Sequence, residues 1–155
     1  MIILGIDPGL NGAFAFYDTS EKILMVYDMP TVDVLRNKKS KREVCAQAVS
    51  MIMTGRQVSH AYLERVNAMP GQGVTSVFSF GRSVGILEGI LAAYDIPTTI
   101  ITPQTWQKAM HVRDGKDGSR ERAMQIFPVR AELFQRKKDD GRSDAALIAA
   151  YGAKL

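Results

Sequence analysis

Residues 1–17 read MIILGIDPGLNGAFAFY, and the reading of this stretch decides the fold. Met1–Ile6 is an apolar, β-branched-rich run of strand length, DPGLNG is Gly-rich turn chemistry, and Ala13–Tyr17 resumes the apolar run. The spacing predicts a β-hairpin that starts at residue 1. Asp7 stands at the end of its first strand. Asp-Pro-Gly opens turns well, so a turn former is one reading. A carboxylate after so apolar a strand is also costly to bury unless a charge, a metal ion or hydrogen bonds satisfy it. The remaining acids decide between the two.

Working outward, Lys22–Met29 reads as a third strand that closes an antiparallel meander and stops at Pro30. Thr31–Lys41 reads as a polar, basic loop. Ser40, with Glu43 three residues on, has the form of a capping box opening a helix in which Val44, Ala48, Met51 and Ile52 repeat until Gly55. Val58–Val66 is the fourth strand, parallel to the first because it follows a helix. Beyond the loop NAMPGQG, an apolar helix runs from about Val74 to Tyr94. Gly73, Gly81, Gly85 and Gly89 share one of its faces. Each glycine costs a helix roughly 1 kcal/mol, so the face implies a close neighbour. Thr98–Ile101 is the fifth strand, and Thr102 with Pro103 opens a short helix anchored in the core by Trp106. A helix over Arg120–Phe127 and a closing amphipathic helix complete a single α/β domain, 1–155.

Composition narrows the class. The chain is 46% hydrophobic and 23% charged, ordinary for a soluble globular domain. No apolar run approaches membrane-spanning length and no signal peptide is present, so a cytoplasmic protein without membrane contact is expected. Cys45 is the one cysteine, which excludes an internal disulfide and suits a reducing compartment. With only Cys45, His60 and His111 as soft ligands, a structural zinc site is not expected. The net charge of +4 is uneven: residues 36–56 carry +5 and 103–155 carry +4, against −4 in 1–35 and −1 in 57–102. Two basic blocks point to a polyanion partner.

Against that background Asp7, Glu64 and Asp144 stand in apolar or strand-like settings, and Asp140 lies one helical turn before Asp144 on the same face. With the fourth strand beside and parallel to the first, Asp7 and Glu64 fall together at their C-terminal ends. A helix crossing that end brings Asp144 and Asp140 to the same point. Hard divalent cations take such oxygen ligands. Two ions about 4 Å apart activate a water and stabilise the leaving oxygen of a phosphodiester. The alternative, a strand-edge Glu with two helix N-terminal acids favoured by the macrodipole, is open for any one residue.

Four segments, GIDPGLNGAFAF, LERVNAMPGQGVTSVFSFGRSVGILEGIL, ITPQTWQK and DDGRSDAALIAAYG, together resemble the RuvC-type Holliday junction resolvases, in particular their short, phage-like branch. The resemblance implies an RNase H-like fold, a five-stranded mixed sheet of order 3-2-1-4-5 flanked by helices. It implies a homodimer that cuts four-way DNA junctions with Mg²⁺ or Mn²⁺, two ions per site, in a bacterial cell or phage-infected host. Asp7, Glu64 and Asp144 match family ligands. The fourth ligand usually stands three residues before the last acid, where this chain has Gly141; Asp140 is expected to supply it, with Asp139 the other candidate. Lys108 matches a basic residue near the fifth strand, and Lys116 and Arg120 lie in a loop resembling the phosphate-contacting region. Asn67 and Met69 stand where the family places a junction-wedging aromatic, and the Gly-rich loop that holds Gln72 reads equally as a simple connection and as one suited to close DNA approach.

Three rival readings remain in view. A GIDxG phosphate loop also begins actin-like ATPases, but these need two such domains and the chain is too short. An RNase H-type nuclease acting on other nucleic acids and a non-catalytic nucleic-acid-binding module are the others. The intact acid set argues against the last.

Overall fold

The computed structural model describes residues 1–36, 38–68, 70–115 and 117–154. Strands β1 (Ile2–Asp7), β2 (Ala13–Asp18) and β3 (Ile23–Asp28) form the expected antiparallel meander. β6 (Val58–Glu64) lies parallel to β1 and carries β7 (Thr98–Ile101), giving the order β3-β2-β1-β6-β7. Counted within this sheet, that is the order 3-2-1-4-5.

Both faces of the sheet are covered, which is why β1 reads as an unbroken apolar run rather than an alternating one. Leu4, Ile6, Phe14, Phe16 and Leu63 pack with Val49 and Met53 of α1 (Ala46–Met53) and Leu87 and Leu91 of α2 (Val74–Ala93). On the other face Ile3, Ala13, Ala15 and Tyr62 meet α3 (Pro103–Ala109), α4 (Gly118–Ile126) and α5 (Asp140–Gly152). Two short 3₁₀ segments, Pro128–Phe134 and Lys137–Asp139, lead into α5.

α5 departs from the amphipathic helix expected of it. Gly141, Ser143, every residue from Ala145 to Ala150, and Gly152 are buried. It is a central helix, buried nearly all round. Its run of small residues lets β1 approach until a Cβ at Gly5 would overlap the backbone of Ala145 and Ala149. Only glycine permits that contact.

Thr31–Lys41 is not a loop, and the Ser40–Glu43 pair caps no helix. β4 (Thr31–Arg36) and β5 (Lys39–Val44) form a separate antiparallel hairpin, and α1 starts only after Cys45. A two-stranded ribbon standing off the sheet needs little apolar surface, so its strands escape a search for apolar alternation. Lys38, at φ 60°, takes the left-handed conformation that tight hairpin turns use.

α2 also corrects a sequence expectation. Over an 18-residue window of its 20 residues the mean hydropathy is 1.3 and only 17% of that window is buried, so by length and composition it is apolar enough to cross a membrane. Glycine and serine dilute the run enough to hide this in the sequence. Ser83, Leu87 and Leu91 are its buried residues, and Gly81, Gly85 and Gly89 face open space. Whatever the glycine face receives is not its own sheet.

Candidate active site

Strand periodicity sets the first two acids. Side chains at Ile3, Gly5 and Asp7 of β1, and at Tyr62 and Glu64 of β6, point to the α5 face. β1 and β6 pair through Ile6 and Leu63, so Asp7 and Glu64 follow one residue later, side by side. Asp144 reaches the same point from α5. The three charges feel one another: Asp7 raises the pKa of Glu64, and Asp7, Glu64 and Asp140 all raise that of Asp144.

Burial is the larger effect at each of the three. It pushes Glu64 up to about 7, against the Trp106 indole N–H that donates to its Oε1 at 2.8 Å. It pushes Asp144 up to about 7, against a hydrogen bond from the Ser119 side chain. Asp7 is raised as well, although the Gly9 N–H donates to its Oδ1 at 3.0 Å. Asp144 Oδ1 is buried without a hydrogen-bond partner.

Asp140 sits at the rim, half-exposed, with the Arg120 guanidinium 2.8 Å away. Asp139 has turned elsewhere. It is 1% exposed, accepts the backbone N–H of Arg136 at 2.9 Å, and is bridged by the guanidinium groups of Arg136 and Arg142. Gly141, at the position where the resemblance implies a fourth acid, presses against the β1–β2 turn. A Cβ there would overlap the backbone of Asn11 and Gly12, so this packing has no room for a carboxylate at residue 141.

The group suits a hard divalent cation by donor type, by mutual repulsion and by the orphaned oxygen of Asp144. As they stand, no three His, Cys, Asp or Glu side chains among the described residues close into a metal-holding group. Like charges with no cation between them have no reason to close further.

The other sequence candidates scatter around this centre. Asn67 is exposed and lines a groove that Glu64 also lines. Lys108 is exposed on α3, the helix whose Trp106 touches Glu64. Gln72 is exposed at the foot of α2. Arg120, expected among phosphate contacts, is turned inward: it is 8% exposed and engages Asp140, Asp117 and the Gln135 carbonyl. Met69 and Lys116 lie outside the described residues. Sequence reasoning took Trp106 for a core anchor and missed its bond to Glu64. Its only sequence signal is an indole N–H that must find an acceptor when buried.

No family model matches the chain. Solved structures with the same architecture include Thermus thermophilus RuvC in complex with a Holliday junction substrate. That match has a TM-score of 0.67 at 12% identity, covering 99% of this chain and 95% of that one. Another T. thermophilus RuvC structure matches with a TM-score of 0.59 at 14% identity, covering 99% and 96%. The fold is therefore RNase H-like, in the RuvC arrangement. Among curated proteins the chain is 31% identical over 96 residues to the chloroplastic Holliday junction resolvase MOC1 of Chlamydomonas reinhardtii. That match takes in 59% of this chain and 11% of that protein's length.

Proposed function

We propose that this chain is a structure-selective endonuclease that resolves four-way DNA junctions by divalent-metal-dependent hydrolysis of phosphodiester bonds. The observation that carries the reading is the convergence of Asp7, Glu64 and Asp144, from three separate elements, at the C-terminal ends of two adjacent parallel strands. Asp7, Glu64 and Asp144, with Asp140 at the rim, are the residues that would hold Mg²⁺ or Mn²⁺. Two such ions, when bound, supply an activated water and stabilise the leaving oxygen. The chain itself orients the acids: Trp106 fixes Glu64, Ser119 fixes Asp144, and the Gly9 N–H fixes Asp7. That leaves Asp144 Oδ1 free for an incoming cation.

Four-way junctions are favoured over other nucleic acids by the likeness to MOC1 and by the RuvC fold, whose solved complex holds a Holliday junction substrate. Paired, symmetric nicks follow from a homodimer, and the open glycine face of α2 is the surface for it. A cytoplasmic setting, in keeping with the free thiol of Cys45, completes the reading.

The test offers a four-way junction, a flap, a plain duplex and an RNA–DNA hybrid to the protein in Mg²⁺. Symmetric paired nicks in the junction alone are expected. Equal cutting of the hybrid would favour an RNase H-type nuclease, and no cutting of any substrate would leave a binding module.

A further inference from the structure

A cleft of about 480 Å³ adjoins the carboxylates through Asp140. Its walls come from the β1–β2 turn, the ends of β3 and β4, Arg42 of β5, and the Lys137–Arg142 segment. Every acid on these walls already has an arginine. Asp28 takes two bonds from Arg142, at 2.5 and 2.6 Å. Asp139 has Arg136 and Arg142, and Asp140 has Arg120.

Three cations are left over. Arg42 spends its fork on neutral acceptors, the Leu10 carbonyl and Asn11 Oδ1, both at 2.6 Å. Lys137 and Lys138 are exposed and form no ion pair among the described residues. Among the described residues no aromatic side chain lines the cleft, so they offer nothing on which to stack a base. Cationic walls without a stacking platform fit a phosphodiester backbone, not a base edge.

We propose that this cleft is a second DNA-backbone track. Arg42, Lys137 and Lys138 hold phosphates of the strand that leads to the carboxylates, and the β4–β5 hairpin is the arm that walls it. The proposal rests on the nuclease reading above for the direction of the strand, but not for its chemistry. It is separate from the α3 region that carries Lys108, and it gives Arg42, from the basic block at 36–56, a task.

Arg42 also braces the β1–β2 turn, so the test uses the lysines. Binding of a fluorescent four-way junction and of a linear duplex is measured in EDTA, which prevents cutting, over a range of salt concentrations. Wild type is compared with the double variant Lys137→Gln/Lys138→Gln and with Lys22→Gln, a control at the β2–β3 turn on the opposite end of the sheet. Removing two phosphate contacts should flatten the slope of log affinity against log salt by about 2 and weaken binding about tenfold or more. Lys22→Gln should match wild type. A slope change below about 0.5 in the double variant, with its melting temperature unchanged, overturns the cleft. Failure of the nuclease reading shows separately, as a wild type that binds with the full slope yet cuts nothing in Mg²⁺. A wild type that binds neither DNA overturns both.

Discussion

Asp139 and Asp140 are neighbours with opposite tasks. Asp139 is sealed among arginines behind the N-terminus of α5, whereas Asp140 stands at the rim and acts on the charge of Asp144. Asp140→Asn should lower junction cleavage at least about a hundredfold, as loss of a group that acts on the transition state would, and lower the melting temperature only slightly, since Arg120 keeps Asp117 and the Gln135 carbonyl. Asp139→Asn should instead cost about 2 kcal/mol, because it removes a buried carboxylate, 1% exposed, that holds Arg136 and Arg142 at the start of α5. Thermal melts beside single-turnover cleavage separate the two; equal, mild losses of activity from both would mean that three carboxylates suffice. Asp7→Asn keeps shape and removes charge, so it should abolish cutting and leave junction binding intact or tighter. Cleavage by that variant in Mg²⁺ would refute the site. Trp106→Phe keeps the buried ring but takes the N–H from Glu64 Oε1. The acid limb of the pH–rate profile should then move upward, since the lost bond held the Glu64 pKa down.

At the scale of elements, α2 is the unfinished part of the molecule. Val74 and Phe78 are 86% and 68% exposed, and the glycines at 81, 85 and 89 have nothing within van der Waals reach. A soluble monomer rarely leaves so long an apolar helix uncovered, and glycines allow two backbones to approach closely. The expectation is a species of about 34 kDa by sedimentation at micromolar concentration, twice the 17.1 kDa chain. Gly85→Glu should sediment at the single-chain mass and remain folded, since its side chain meets open space in the protomer. A wild-type monomer that still makes paired cuts would defeat the dimer.

For the molecule as a whole, the buried acids couple stability to pH. Glu64 and Asp144, both pushed up to about 7, keep their protons in the native state at pH values where the unfolded chain, titrating near 4, has released them. Between those limits the native state binds more protons, so stability falls as pH rises from about 4 to about 7. Divalent cations held by the ionised acids, as proposed, would stabilise the native state by mass action. The melting temperature without metal should therefore decline from pH 5 to 7.5, and Mg²⁺ should raise it markedly at pH 7.5 and little at pH 5. Asp144→Asn should flatten the decline. An equal Mg²⁺ effect at both pH values would show that these acids are not its site.

The hairpin of residues 1–17 and the parallel return of β6 were legible because local pattern decides them, and with them the meeting of Asp7 and Glu64 at adjacent strand ends. Apolar runs, turn residues and a helix-mediated crossover leave few other topologies. The β4–β5 ribbon was not legible, because its residues are as polar as those of a loop and only cross-strand pairing makes them strands. Asp140 was chosen from the sequence over Asp139, but the sealed ion pair of Asp139 and the backbone contact of Gly141 were hidden, since one helical step separates each of them from the open rim. Trp106 and the empty glycine face of α2 belong with them. The sequence by itself determined which groups carry charge and which runs must be buried. Which of those groups meet, and which surface is left uncovered, depends on distances between segments far apart in the chain, and these exist only once the sheet and α5 have packed.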